Sequence, residues 1–246
     1  MERRDRASVA TFFAEGTLTP GATVELPEGA AQHVRVRRLA IGDVLQLTNG
    51  QGSIAHGRLA RLTKGTAAVD VEDVASVVRP RALRMFVPVA DRERMLWLAE
   101  KIAELAVSSW HPVSFRRSAS VSPRGEGEAF RRKVRARMIG ALEQSGGAWL
   151  PEIGDELPLD ATLAGGRRSD AGEQFLMDRE GARLTSYRPA AADAMIGPEG
   201  GLESAERALI VEEYHWVPAS LGETTLRFET AGIVAAGILR SLLGNA

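Results

Sequence analysis

The sequence contains no cysteine. That one absence excludes disulfides, thiolate metal sites and cysteine nucleophiles together. Histidine is scarce as well: His33, His56, His111 and His215 are the only four, none at metal-ligand spacing from another, so no metal centre is expected. No apolar run approaches the roughly 18 residues of a membrane span, so no membrane association is expected. The charged opening, Met1 to Arg6, leads into no apolar stretch of signal-peptide length, and the missing cysteines fit the cytoplasm, the expected compartment. Several motifs are missing too. There is no G-x-x-x-x-G-K-[ST] phosphate loop, no G-x-G-x-x-G after a strand and no G-x-S-x-G nucleophile elbow.

What is present is an ordinary globular composition, 44% hydrophobic and 26% charged over 246 residues, enough for one large domain or two modest ones. The net charge of −1 conceals an asymmetry. Residues 80–150 carry 13 Lys+Arg against 7 Asp+Glu, whereas residues 151–246 carry 8 against 16. A basic middle in a neutral chain suggests a local patch for a polyanion, and a solvated helix face explains it equally well.

The first ~75 residues read as short strands with glycine turns, the pattern of a small barrel. "VLQLT" (44–48), "NGQG" (49–52) and "SIAHGRLARL" (53–62) form a hairpin signature, and "TKGT" (63–66) turns the chain into "AAVDVEDV" (67–74). Arg35 and Arg37 alternate along a possible strand and would share a face. After the linker "VVRPR" (77–81) the rhythm changes. A strand is expected over 83–89, a helix over 91–109 capped by Asp91, and a helix over 128–147 stopped by Gly146. Then come a strand at 193–196, a helix from about 203 to 213, a strand around 215–219 and a mostly apolar helix over 229–243. Strands alternating with helices imply an α/β domain with a mainly parallel sheet. The stretch 165–174 reads as a surface loop.

Two segments invite chemistry. "AMIGPEGG" (194–201) is a strand running into a turn with one proline and three glycines, and Glu199 stands at its tip. In an open α/β sheet such a turn lies where ligands bind, and glycines let a ligand approach the main chain. On these residues alone it could equally be a plain tight turn. "LGETTLRFETA" (221–231) follows. Glu229 or Thr230 can cap the last helix, whereas Arg227 is either an ion-pair anchor or a ligand contact.

G-P-E-G-G followed about twenty residues later by L-G-x-x-x-L-R-x-E-T-A resembles the knotted SPOUT methyltransferases. Within them it resembles the RsmE-type enzymes, which methylate N3 of one uridine in 16S ribosomal RNA. "TFFAEG", "HVRVRRLAIGDVLQL", "RMLWLAEKIAELAVS" and "ALEQSGGAWLPEI" are similar to further segments of that family. The resemblance implies a PUA-like β-barrel RNA-binding domain over residues 1–76. It implies a SPOUT methyltransferase domain over 82–246, with a parallel sheet and a C-terminal trefoil knot at about 194–232. It implies S-adenosylmethionine held by Ile196, Gly197, Pro198, Gly200, Gly201, Leu221, Gly222, Leu226 and Thr230, with Arg227 and Glu199 acting on the substrate. RNA contact would come from Arg35, Arg37, Arg38, Arg116, Arg117, Arg131, Arg132 and Arg135. The expected partners are 16S RNA in the small ribosomal subunit and a second copy of the chain, in a homodimer through the knotted domain.

The sequence departs from the family at three places. Thr11 precedes the aromatic pair where arginine is common, Ala106 stands where glycine is usual, and Gly147 and Ala148 follow "EQSG" where arginine is usual. These departures leave two alternatives, a SPOUT enzyme with another RNA target and a non-catalytic RNA-binding ribosome-assembly factor.

Overall fold

The computed structural model describes residues 9–27, 29–120, 124–165 and 172–244. Met1 to Arg6, and residues 166–171 of the expected surface loop, lie outside the described residues. The chain divides into two compact units, one of residues 1–79 with 139–150 and one of residues 80–138 with 151–246.

The first unit contains β1 (Thr11–Phe13), β2 (Thr23–Glu25), α1 (Ala30–Val36), β3 (Val44–Thr48), β4 (Ser53–Leu62) and β5 (Ala67–Ser76). Its sheet runs in the order β1-β3-β4-β5-β2. The β1–β3 pair is parallel and the other pairs are antiparallel. The hairpin at Asn49-Gly50 forms as the sequence suggests. Asn49 Oδ1 accepts from the amides of Gln51 at 2.9 Å and Ser53 at 3.0 Å, and Gly50 supplies the left-handed φ of +67°. Leu45, Leu47, Ala55, Leu59 and Val69 turn inward from β3, β4 and β5 to form the core with Phe12 and Val34.

The strand expected around Arg35 is a helix. Ala31 and Val34 are buried at a helical spacing of three, and this packing overrides the local valine–arginine alternation. Arg35 and Arg37, two positions apart at the end of α1, therefore do not share a face.

The second unit begins with β6 (Leu83–Pro88), α2 (Arg92–Glu104), β7 (Ser109–Ser114) and α3 (Gly127–Ser145), whose residues 139–145 belong to the first unit. It continues with β8 (Glu152–Ile153), β9 (Leu157–Pro158), α4 (Leu159–Gly165), β10 (Glu173–Arg183) and β11 (Ala192–Ile196). It closes with α5 (Ser204–Ala208, extended by one π turn over Leu209–Glu213), β12 (Val217–Ser220) and α6 (Phe228–Leu243). The sheet is parallel in the order β12-β10-β11-β6-β7-β8, with β9 also pairing β7.

Asp91 caps α2 by accepting from the Arg94 amide at 3.0 Å, and Gly146 ends α3 at φ +69°. The helix expected to run to residue 109 stops at Glu104, because Ala106 takes a left-handed φ of +53° and the chain turns into β7. Neither Glu229 nor Thr230 caps α6. Its N-cap is Arg227, with no side-chain hydrogen bond at the cap, and Glu229 lies inside the first turn. At the amino ends of β11, β6 and β10, the buried Asp193 accepts from Arg84 Nε at 2.7 Å and Gln174 Nε2 at 3.0 Å. This network ties three strands together at the edge opposite the site described next.

Candidate active site

β11 is buried along its whole length, so its apolar residues commit the strand to the centre of the sheet. Its carboxyl end delivers Gly197 to Gly201 into a turn closed by the Gly201 amide donating to the Pro198 carbonyl at 2.8 Å. Gly201 holds φ +72°, which only glycine adopts at little cost. The start of α5 is fixed by Glu206, whose Oε2 accepts from the Glu203 amide at 2.9 Å while its Oε1 accepts from the Arg116 amide at 2.9 Å. Arg117 Nη1 donates to the Gly200 carbonyl at 2.8 Å. Arg117, assigned from sequence to an RNA surface, thus braces the glycine turn, whereas Arg116, assigned likewise, joins α5 through its amide and its side chain is exposed.

A cavity of about 420 Å³ opens between this turn, the end of β10, the loop before α6 and the first turn of α6. Ile196, Gly197, Pro198, Gly201 and Leu226, all assigned to the cofactor from sequence, line it, and Glu199 lines it too. Gly200, Leu221, Gly222, Arg227 and Thr230 are not among its lining residues. Gly222 lies just past β12, where its amide donates to Ser220 Oγ at 3.2 Å. Arg227 is exposed, and its carbonyl accepts from the Ala231 amide at 2.8 Å.

Sequence reasoning missed the other half of the wall. Met177, Asp178, Arg179 and Glu180 reach the cavity from β10, and Arg207 reaches it from α5. Arg207 Nε donates to Asp178 Oδ2 at 2.8 Å, closing the β10 side against α5. "FLMDREG" (175–181) has the same form as the glycine turn, an apolar run followed by charge and glycine, and it was the available signal. Arg94 gave no such signal. It sits in a regular helix, and only the fold brings its guanidinium onto Glu199.

The remaining basic residues are unevenly engaged. Arg131 donates to Asp155 and, at 2.6 Å, to the Ile153 carbonyl. Arg132 lies 3.7 Å from Glu128 on the outer face of α3, and Arg135 belongs to the same helix. Arg35 donates to the Thr63 carbonyl, while Arg37 and Arg38 are exposed. Among the described residues no group of three or more His, Asp or Glu could hold a metal ion. No described helix is long and apolar enough to cross a membrane.

Residues 78–240 match the RNA methyltransferase domain family, and residues 26–72 match the RNA methyltransferase PUA domain. No curated protein sequence matches the chain. Among the solved structures that share its fold over nearly the whole length are these three. One is a protein of Legionella pneumophila assigned as a methyltransferase and solved with bound SAM, 27% identical, TM-score 0.82, covering 95% of this chain and 97% of that one. The second is a ribosomal RNA small subunit methyltransferase E from Neisseria gonorrhoeae bound to S-adenosyl methionine, 25% identical, TM-score 0.82, covering 95% and 98%. The third, from Porphyromonas gingivalis, is assigned as an rRNA methyltransferase, 27% identical, TM-score 0.79, covering 95% and 98%.

Proposed function

The chain belongs to the RNA methyltransferase family, and from that membership we propose that it transfers the methyl group of S-adenosylmethionine to N3 of one uridine in 16S ribosomal RNA, on the assembled small subunit. The observation that carries this reading is the cavity at the carboxyl ends of β10 and β11, which both sequence motifs help to frame. Ligands of open α/β sheets bind at that edge, and about 420 Å³ lies within the range of small-molecule sites.

The residues present suit the cofactor. Ile196, Leu226 and Phe228 give an apolar wall, Gly197 and Gly201 leave the main chain approachable, and Asp178 and Glu199 supply acceptors. Bound there, S-adenosylmethionine would supply an electrophilic methyl group on a sulfonium. Of the residues that the resemblance assigns to its binding, Ile196, Gly197, Pro198, Gly201 and Leu226 line this cavity.

The uridine imide carries a proton at neutral pH, which must leave as the new C–N bond forms and the C–S bond breaks. Most of the rate comes from holding the reacting atoms in line. Glu199 orients the uracil edge or accepts the N3 proton. Arg227 stays protonated and stabilises negative charge on the uracil carbonyls. Residues 1–76 are assigned to RNA recognition and residues 82–246 to methyl transfer, in a homodimer built through the C-terminal domain with a trefoil knot at about 194–232. The half-buried apolar side of α6, Ile233, Val234, Gly237 and Ile238, is the part of the helix available to that interface.

The test is methyl transfer from labelled S-adenosylmethionine to small subunits lacking N3-methyluridine, with naked 16S RNA and transfer RNA alongside. Label recovered as N3-methyluridine in the subunits is the expected result. Label in another nucleoside or another RNA replaces the target. Cofactor binding without transfer to any RNA favours an assembly factor.

A further inference from the structure

Three charged side chains meet beside the cavity. Glu199 stands on the glycine turn, Arg94 in the first turn of α2 and Glu229 in the first turn of α6. Arg94 Nη1 donates to Glu199 Oε1, and Arg94 Nε lies 3.9 Å from Glu229 Oε1. Glu229 is only 5% exposed, and its Oε2 is buried without a hydrogen-bond partner among the described residues.

The placement of Arg94 follows from packing. Its backbone is fixed by the Asp91 cap, and Leu98, one turn further along α2, is fully buried. Gly232, one turn beyond Glu229 on α6, lies against that leucine. A β-carbon at 232 would stand 2.8 Å from Leu98 Cδ1. The close approach of the two helices therefore sets the guanidinium of one beside the carboxylate of the other.

A glutamate side chain has wide rotamer freedom, and about a third of that of Glu199 is exposed. The hydrogen bond from Arg94 restricts that freedom, because charge-assisted hydrogen bonds are short and directional, while the buried Glu229 carboxylate, 3.9 Å from Arg94 Nε, holds the guanidinium by charge. Glu229 contributes the fixed end of the arrangement and Glu199 the end that faces the cavity.

We propose that Arg94 is a positioning residue: held by Glu229, it fixes the Glu199 carboxylate at the rim of the cavity. The inference rests on the methyl-transfer reading of this site. It links the G-P-E-G-G turn to the R-x-E-T-A segment through a residue that belongs to neither.

The test uses the full chain with Arg94→Ala, Arg94→Lys, Glu199→Gln, Glu229→Gln and the Arg94→Ala/Glu199→Gln double variant. Arg94→Ala should lower kcat by about tenfold or more with KM for RNA little changed, since misplacing a reacting group costs rate rather than binding. The double variant should be no slower than the slower single variant. Arg94→Lys should recover part of kcat, and Glu229→Gln should fall between it and wild type. Unchanged kcat in Arg94→Ala, losses that multiply in the double variant, or a silent Glu199→Gln beside a slow Arg94→Ala each overturn the proposal. If Arg94→Ala does not fold, Arg94→Lys and Glu229→Gln carry the decision, and full activity in both overturns it.

Amide exchange at Gly201, read on the protein alone, separates the two possible failures. Arg94→Ala should speed it several-fold, and unchanged exchange overturns the clamp whatever the substrate. A wild type that methylates no RNA overturns the functional reading and leaves the exchange result to decide on Arg94.

Discussion

Arg240, near the end of α6, donates from Nη2 to the carbonyl of Ala106 at 2.5 Å, and Ala106 holds a left-handed φ of +53°. The same guanidinium donates to the Leu105 carbonyl at 3.3 Å and to the Arg81 carbonyl at 2.8 Å. Arg240 therefore satisfies the backbone where α2 ends and where β6 is about to begin. Alanine is a strained choice at position 106, since an L-residue in left-handed backbone costs roughly 1–2 kcal/mol, and glycine recovers that less its larger unfolded-state entropy. Ala106→Gly is expected to raise stability by about 1 kcal/mol, measured by urea unfolding. A loss of stability would show that the Arg240 contacts already relieve the strain.

The contact between Gly232 and Leu98 leaves no room for a side chain. Leu98 is fully buried, so its methyl groups cannot retreat into solvent. Gly232→Val should destabilise by about 2 kcal/mol through overpacking, even though a helix interior disfavours glycine by about 1 kcal/mol. Thermal unfolding of the variant is the measurement. A wild-type melting temperature would mean that α2 and α6 separate at little cost.

The hairpin at 49–52, the cap at Asp91, the stop at Gly146 and the β11–turn–α5 unit were all legible, because each depends on residues close in sequence. The helix at 30–36 was not, since its period is decided by Ala31 and Val34 packing into a core built from distant strands. β7 was hidden because the apolar rhythm of α2 continues past the break at Ala106. The glycine turn announced half of the cavity wall. Asp178 and Arg207 were invisible as a pair because they stand 29 positions apart with a strand between them. Arg94 and Glu229 are 135 residues apart and meet only through the packing of α2 on α6.

His111 introduces a pH dependence. It stacks on Phe86 with ring centroids 4.8 Å apart, and its Nε2 shares a hydrogen bond with Ser109 Oγ at 2.8 Å. Burial, and secondarily the Arg84 guanidinium, push its pKa below the ordinary 6.5, while Asp193 and Glu152 oppose them. The unfolded chain thus takes up the proton first as pH falls. The stabilising contribution is whole above the unfolded value and is lost as pH drops through 6.5 toward the lower folded value. The stability difference between wild type and His111→Gln should be flat well above 6.5 and shrink as the pH falls below it. A difference that grows on acidification would reverse the assignment.

The arginines assigned to RNA separate by what already holds them. Arg131 is bound to Asp155 and to the Ile153 carbonyl, so Arg131→Ala should cost stability while barely changing the salt dependence of RNA binding. Arg132 is different: its side chain is 70% exposed, and its Glu128 neighbour stands 3.7 Å away on the same helix face, an ion pair worth little in water. Arg37, past the end of α1, is exposed as well. If these two meet phosphates, each charge reversal removes about one unit from the slope of log K against log salt and weakens binding across sequences alike. Arg37→Glu and Arg132→Glu are therefore expected to weaken binding to 16S RNA additively and to leave S-adenosylmethionine affinity unchanged. Filter binding across a salt series and calorimetry with the cofactor measure the two quantities. An unchanged salt slope would remove both residues from the RNA surface, and a parallel fall in cofactor affinity would show that the substitutions disturb the fold instead.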